Sequence, residues 1–121
     1  MKNNRIDEIR MMMLGNRNEI VRGLNSENKC LRLDGLLWAA YHEIKGENVI
    51  ERIKELKSDE ESAMGFKVCD YAVAALDVLG IERYQGNDDR LSDLIKNFLP
   101  SKSDVEKAIK NTSNGSQSES A

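Results

Sequence analysis

Proline occurs once in this chain of 121 residues, at Pro100, while apolar residues recur at helical spacing along most of the sequence. Because proline breaks or kinks a helix, its near-absence permits helices almost throughout the chain. Apolar residues make up 40% of the chain and charged residues 32%, which is typical of a folded domain and not of a disordered one. We therefore predict an all-α fold.

Seven segments carry apolar residues on one helical face. These residues are Ile6, Ile9 and Met13; Ile20, Val21 and Leu24; Leu33, Leu36, Leu37, Ala40, Tyr41 and Ile44; Val49, Ile50, Ile53 and Leu56; Met64, Val68, Ala72, Ala75, Leu76 and Leu79; Leu91, Leu94, Ile95 and Phe98; and Val105, Ala108 and Ile109. Gly15, Gly46 and Gly80 are predicted to end the first, third and fifth helices, since glycine adopts the left-handed conformation that closes a helix. Pro100 is predicted to end the sixth.

Polar residues mark the predicted helix starts. Ser26 is a candidate N-cap for the third helix, because its hydroxyl oxygen can accept a bond from a free backbone N–H. The segments Ser58–Glu61 (S-D-E-E) and Ser103–Glu106 match a capping box, in which the serine and the glutamate each satisfy a backbone N–H of the first turn. The first box is predicted to open a long fifth helix. Residues 111–121 are polar and of low complexity, so we expect a flexible tail after a single domain of residues 1–110.

The chain also resembles itself at offsets of 32 to 41 residues. Glu19–Asn28 aligns with Glu51–Glu60, so that an L-x-S-[DE] junction recurs. The paired alanines of the third helix, Ala39 and Ala40, align with Ala74 and Ala75 of the fifth. Small side chains on the flank of a helix permit a neighbouring repeat to approach closely. This pattern predicts a short right-handed α-solenoid of about three antiparallel helical hairpins, followed by a short C-terminal helix.

The segment Ser58–Gly80 resembles a HEAT repeat, because D-E-E precedes a helix that closes on A-A-L-D-V-L-G. The similarity extends at most over residues 19–99. It lacks the proline that HEAT repeats usually carry in the first helix and the arginine after the acidic junction. The resemblance implies a helical-repeat protein that binds other proteins, or sometimes nucleic acid, along a concave face. It implies no functional residue, because the repeat pattern is a packing pattern.

Charge is unevenly distributed along the chain. Residues 1–45 hold eight Lys and Arg against six Asp and Glu, whereas residues 46–99 hold seven against twelve. The acidic middle favours a basic protein partner and disfavours nucleic acid, which binds basic surfaces. A solvated surface without a partner would have the same composition.

The sequence indicates no catalytic or metal site. Cys30, Cys69 and the single histidine, His42, lack metal-ligand spacing, and no nucleophile is paired with a base. The acidic run with Asp88, Asp89 and Asp93 lacks the pattern of a calcium loop and is better explained by helix capping. We therefore expect no enzyme activity and no cofactor.

The candidate partner-binding residues are those at the acidic junctions and the two aromatic residues best suited to an interface. They are Asp59, Glu60, Glu61, Glu82, Tyr84, Asp88, Asp89, Asp93 and Trp38. Small size, acidity, a single domain and the lack of catalytic groups are similar to small bacterial immunity proteins. That resemblance implies an inhibitor that blocks the cleft of a basic toxin, commonly a nuclease.

Two alternatives remain. A regulatory scaffold or adaptor would self-associate through Met11-Met12-Met13, since methionine repacks easily at contacts. A nucleic-acid binder would use the arginines of the N-terminal third, namely Arg5, Arg10, Arg17, Arg22 and Arg32. No apolar run is long enough to span a membrane, and the charged start MKNNRIDEIR is unlike a signal peptide. We expect a cytoplasmic protein with no membrane partner, and its oligomeric state stays open.

Overall fold

The structure is a computed structural model that describes the backbone of residues 5–120 and the side chains of residues 7–111. Within those limits the chain forms seven α-helices and one short hairpin, which confirms the predicted all-α class. The helices are α1 (Arg5–Met13), α2 (Arg17–Leu24), α3 (Lys29–Tyr41), α4 (Glu47–Glu55), α5 (Val68–Val78), α6 (Asp89–Lys96) and α7 (Lys102–Ser120). The hairpin pairs β1 (Ser62–Ala63) with β2 (Phe66–Lys67), and a 3₁₀ turn, Leu56–Ser58, follows α4.

A few predictions fall on side chains outside the described residues. These are the core position of Ile6, the nucleic-acid contact of Arg5 and the polar tail beyond residue 111. The predicted boundary between a domain of residues 1–110 and a flexible tail of residues 111–121 stays a prediction.

Helices α3 and α5 form the centre of the fold, since they pack against each other and both contact several other helices. Leu36 on α3 and Leu76 on α5 are completely buried. Ala39, Ala74 and Ala75 are also fully buried, as the pairs of small residues predicted. Small side chains at these positions permit the helices to approach closely and to fill the core without voids.

Helix α5 begins at Val68, so the predicted capping box at Ser58–Glu61 is wrong. Ser58 ends the 3₁₀ turn, and the hairpin lies between it and α5. The backbone N–H of Val68 donates to the carbonyl oxygen of Glu61 at 2.9 Å, and that of Cys69 donates to Asp59 at 2.8 Å. These two bonds return the chain onto the start of α5. The backbone groups of this segment thus bond to residues beyond the reach of one helical turn, in place of the local bonds that a helix would have made.

Two further caps lie two residues from their predicted positions. Asn28 caps α3 in place of Ser26, and its Oδ1 accepts a backbone N–H bond at 2.8 Å. The Ser26 hydroxyl instead accepts the N–H of Asn28 at 3.0 Å. In the same way Ser101 caps α7 in place of Ser103, and its hydroxyl accepts a backbone N–H bond at 3.0 Å. Each observed cap satisfies a donor that would otherwise be free in the first turn.

Three helices end in the same way, with a left-handed residue just after the last turn. Gly15 ends α1 with φ 88° and Gly80 ends α5 with φ 76°, as predicted. Helix α3 ends at Tyr41, and Glu43 takes the corresponding left-handed position with φ 54°. Gly46 was predicted to end this helix, but it is the N-cap of α4. Glu43 therefore carries a strain that glycine would relieve.

Helix α7 returns to the beginning of the chain and contacts α1. Val105 on α7 is buried, and Ala108 and Ile109 pack against the core. In a linear solenoid each repeat contacts its neighbours, whereas this contact joins the first and last described helices. The right-handed solenoid of three hairpins therefore stays a prediction.

Candidate functional site

The first predicted acidic junction is largely neutralised within the chain. Arg32 on α3 is buried, and its Nε lies 3.0 Å from a carboxylate oxygen of Asp59. Its guanidinium also pairs with Glu61 and donates to the carbonyl oxygen of Ser26 at 2.9 Å. The buried arginine thus joins α3 to the segment between α4 and α5 through two carboxylates and one carbonyl oxygen. Glu60 stays exposed, 3.9 Å from the ammonium of Lys67.

The second predicted junction contacts the region of the first. Glu82 accepts a hydrogen bond from Lys57 at 2.7 Å and lies 3.7 Å from Lys54. The hydrogen bond from Lys57, with the positive charge of both lysines, lowers the pKa of Glu82. Lys57 belongs to the 3₁₀ turn beside the first junction, so this ion pair brings the two junctions together. The Glu82 carboxylate is therefore already occupied by a contact within the chain.

Tyr84 and Asp88 hold the loop that leads into α6. The backbone N–H of Tyr84 donates to Asp77 at 2.8 Å, and the Tyr84 hydroxyl accepts the N–H of Asp88 at 3.1 Å. Asp88 then caps α6. Asp89 and Asp93 are exposed on α6. The predicted acidic set is therefore partly occupied by structural contacts, whereas Asp89 and Asp93, like Glu60, stay exposed.

The aromatic and methionine candidates lie mostly in the core. Trp38 is only 6% exposed and packs edge-on against Tyr41, with their ring centroids 5.5 Å apart. Met12 and Met13 are buried, whereas Met11 is 37% exposed. In the described structure, neither the tryptophan nor the methionine run presents a large surface for a contact.

A different surface stands out, namely an apolar groove between α3, α5 and α6, at the hairpin. We call it the tip groove, and its volume is about 270 Å³. Its apolar lining consists of Leu33, Leu37, Tyr71, Leu94 and Phe98, with Met64 at its edge and Asp34 and Asn97 as its polar residues. None of the residues of α6 is fully buried, and Leu94 packs against the core while part of its side chain stays exposed at the groove.

Met64 projects from the tip of the hairpin and is 81% exposed. Strands β1 and β2 pair Ala63 with Phe66, which leaves Met64 and Gly65 as a two-residue turn. Their φ angles are 56° and 87°, positive at both positions as in a type I′ turn. Asparagine and glycine favour that turn, whereas methionine is strained in it.

Two side chains from the helices hold this turn in place. The Tyr71 hydroxyl lies 3.0 Å from the carbonyl oxygens of both Ala63 and Met64. Burial raises the pKa of Tyr71, and the negative charge of Asp70 adds to the shift. On the α6 side, Arg90 donates to the carbonyl oxygen of Gly65 at 2.9 Å, and its guanidinium lies 4.6 Å from the centre of the Phe66 ring. Contacts from two helices thus fix the backbone of the turn that carries the exposed methionine.

Sequence reasoning missed this surface because it placed Met64 on the inner face of a long helix. The Met64-Gly65 dipeptide was the available signal, since glycine interrupts a helical pattern and favours a tight turn. The pattern of apolar residues also assigned Leu94 and Phe98 to a buried face. Periodicity identifies the apolar face of a helix but does not determine how far a neighbour covers it.

No metal site appears in the part of the chain that the structure describes, where no three His, Cys, Asp or Glu side chains are grouped suitably. The Nε2 of His42 lies 2.8 Å from the carbonyl oxygen of Met13, so the histidine caps the end of α1. Among residues 5–120, no helix combines the length and apolar character needed to cross a membrane. No family model, curated protein or solved structure matches the chain.

Proposed function

We propose that this protein is an interaction module that docks another protein at Met64 and the tip groove. The observation that carries the proposal is the placement of Met64, 81% exposed on a left-handed backbone beside an apolar groove. A left-handed conformation costs a residue other than glycine or asparagine about 1 kcal/mol or more. The exposed side chain returns little of that cost through burial within the chain. Strain that the fold does not use is typical of a functional site.

The chemistry of the surface fits a protein partner. Methionine is enriched at protein interfaces, because its flexible and polarisable side chain adapts to different surfaces. The groove places apolar side chains beside it, and Tyr71 and Arg90 fix the turn so that little order is lost on binding. An apolar anchor surrounded by ordered neighbours is the arrangement in which interface residues contribute most binding energy.

The test separates binding from folding by a substitution that favours the turn. Met64→Asn creates the Asn-Gly pair that type I′ turns prefer, so we expect stability to rise by about 0.5–1 kcal/mol. Glu43→Gly is the matched control, because it relieves a left-handed residue at the end of α3, on a different segment. We expect both variants to be more stable in urea denaturation and only Met64→Asn to lose binding.

The partner is identified by placing a photo-crosslinking amino acid at position 64 and, as a control, at Leu14. Leu14 is 51% exposed at the end of α1 and is not part of the tip groove. We expect a protein that crosslinks from position 64 but not from position 14, and whose affinity for the purified chain falls at least tenfold in Met64→Asn. Equal affinity for Met64→Asn, Glu43→Gly and the unaltered chain would refute the docking surface.

A narrower version of this proposal is an immunity protein that neutralises a basic toxin of the nuclease type in the cytoplasm, on a HEAT-like stack of hairpins. Its support is the acidic composition of residues 46–99 and the exposure of Asp89 and Asp93. Reversing the charge of both residues should slow association with such a toxin, most strongly at low salt. The matched control reverses Glu47 and Glu51 on α4. An equal loss in both double variants would leave only a general charge effect.

A further inference from the structure

We infer that Met64 is a reversible oxidation site, and that conversion of its thioether to the sulfoxide weakens docking at the tip groove. The effect on docking rests on the proposed function, whereas the oxidation itself is measured on the free chain. Three observations support the inference: the exposure of Met64, the atoms that hold its turn and the apolar surface beside it.

Met64 differs from the other described methionines in how much of it the solvent reaches. It is 81% exposed, against 37% for Met11, 5% for Met13 and 1% for Met12. A peroxide must contact the sulfur atom directly, so the rate of oxidation follows the exposure of the side chain. A peroxide in the solvent is therefore expected to react with Met64 faster than with the three methionines of α1.

The reaction transfers one oxygen atom from a hydroperoxide, such as hydrogen peroxide, to the Met64 sulfur. A sulfur lone pair attacks one peroxide oxygen, the O–O bond breaks and an S–O bond forms. The proton of the transferred hydroxyl moves to the departing oxygen, which leaves as water. Sulfur is oxidised by two electrons and the peroxide is reduced. Methionine sulfoxide reductases reverse the change: a dithiol supplies two electrons and two protons, the oxygen leaves as water and the dithiol becomes a disulfide.

The bonds that fix the turn do not involve the Met64 sulfur. The Tyr71 hydroxyl lies 3.0 Å from the Met64 carbonyl oxygen, and Arg90 donates to the Gly65 carbonyl oxygen at 2.9 Å. Both acceptors are backbone atoms, so the sulfoxide can form while the turn keeps its contacts. At the buried Met12, by contrast, a sulfoxide would place a polar group in the core. Oxidation at position 64 therefore changes the surface of the protein and spares its fold.

The surface beside Met64 favours the reduced side chain. The tip groove is lined mainly by leucine and aromatic side chains, and a thioether can be buried beside them without losing a strong hydrogen bond. A sulfoxide oxygen accepts hydrogen bonds from water, and burying it against apolar atoms leaves it unsatisfied. Docking and oxidation therefore oppose each other. By the same linkage, a docked partner shields the sulfur from the peroxide.

The first experiment treats the free full-length chain with hydrogen peroxide and follows each methionine by mass spectrometry of its proteolytic peptides. We expect Met64 to react at least about twofold faster than Met11 and about tenfold faster than Met12 and Met13. Chain oxidised at Met64 should keep the urea midpoint of the untreated chain, and methionine sulfoxide reductases with dithiothreitol should restore its mass. Equal rates at Met64 and Met11, or a lowered urea midpoint, would overturn the structure-sparing oxidation site.

The second experiment measures binding of the protein that crosslinks from position 64. We expect the oxidised chain to bind it at least about tenfold more weakly, and Met64→Gln, which is polar and uncharged, to bind as weakly. Met64→Leu is the matched control, because it keeps an apolar side chain without sulfur. Peroxide should leave its affinity unchanged, and it retains both free cysteines, Cys30 and Cys69. An equal loss in peroxide-treated Met64→Leu would assign the effect to another residue and overturn the inference.

The outcomes also separate this inference from the proposed function. Weak binding by Met64→Asn together with full binding by the oxidised chain would leave the docking surface intact and overturn its control by oxidation. If no protein crosslinks from position 64, the docking function and its control both fail, while the mass spectra still decide whether Met64 is an oxidation site. A saturating amount of the crosslinked protein should slow oxidation at Met64 and leave the rate at Met11 unchanged. Equal slowing at both residues would contradict shielding at the tip groove.

Discussion

Helix α5 has two neighbours that cover it to very different extents. On one side α3 packs closely against α5, and Leu36 and Leu76 are completely buried. On the other side α6 also packs against it, yet α6 has no fully buried residue, and its Leu94 lines an open groove. Both neighbours are amphipathic helices with leucine-rich faces. The difference shows that an apolar face is available for a partner when the fold covers it on one side only.

The largest effect is expected when leucine is replaced by alanine on the two neighbours of α5, first on α3 and then on α6. Leu36→Ala should lower the free energy of unfolding by about 2–5 kcal/mol, because it removes packed atoms and leaves a cavity. Leu94→Ala should cost less, about 1–2 kcal/mol, since its side chain is only partly buried against the core. Urea denaturation of both variants measures the difference. Similar losses would show that α6 is sealed as tightly as α3, and the groove would then not be an open surface.

A smaller effect is expected where the hairpin is attached to α5. Tyr71→Phe removes the hydroxyl that bonds to Ala63 and Met64 and should cost about 1 kcal/mol. Amide hydrogen exchange should accelerate at Phe66 and Lys67 while remaining slow at Leu36. Unchanged exchange in the hairpin would indicate that Arg90 alone holds the turn.

The raised pKa of Tyr71 predicts a loss of stability at high pH. Because the pKa of Tyr71 is raised in the folded chain, its contribution is fully present below the ordinary tyrosine pKa of about 10 and is lost as pH rises through the folded value. Tyr71→Phe has no hydroxyl to ionise, so its free energy of unfolding should fall less steeply over the same pH range. Denaturation between pH 9 and about 12 compares the two chains.

The smallest effect concerns the exposed ion pair that joins the two junctions. The lowered pKa of Glu82 means that its contribution is present above the ordinary glutamate pKa and is lost as pH falls through the folded value. Lys57→Met should raise the Glu82 pKa toward the ordinary value, as carboxyl NMR titration would show. Added salt should also raise the Glu82 pKa, because it screens the positive charge of the lysines. A pKa that does not move would assign the shift to Lys54.

Much of the fold could be predicted from local pattern. Gly15 and Gly80 end helices where the sequence predicted it, because a left-handed cap depends on residues close in the chain. The buried alanines were also predictable, since their pairs recur with the repeat. The hairpin was not. The segment after Ser58 matches a helix start, and the ion pairs of Arg32 with Asp59 and Glu61 that favour another conformation involve residues far apart in sequence.

The candidate site was less predictable than the fold. The acidic residues were chosen by composition, and composition does not reveal that Lys57 lies beside Glu82 or that Arg32 is buried between two carboxylates. Met64 was assigned to a helix interior because its apolar character fitted the period. Its exposure depends on a turn that only the folded arrangement of Tyr71 and Arg90 supports.

The contact between α1 and α7 has a consequence for how the chain is made. During synthesis α1 leaves the ribosome early, and the surface that it presents to α7 stays uncovered until the last described helix emerges. The central pair of α3 and α5 can form before that, so the nascent chain holds a packed centre and an unfinished edge. Apolar surface left open during this interval is a target for chaperones and for aggregation. The order of translation, and not stability alone, thus bears on how safely this small protein reaches its final form.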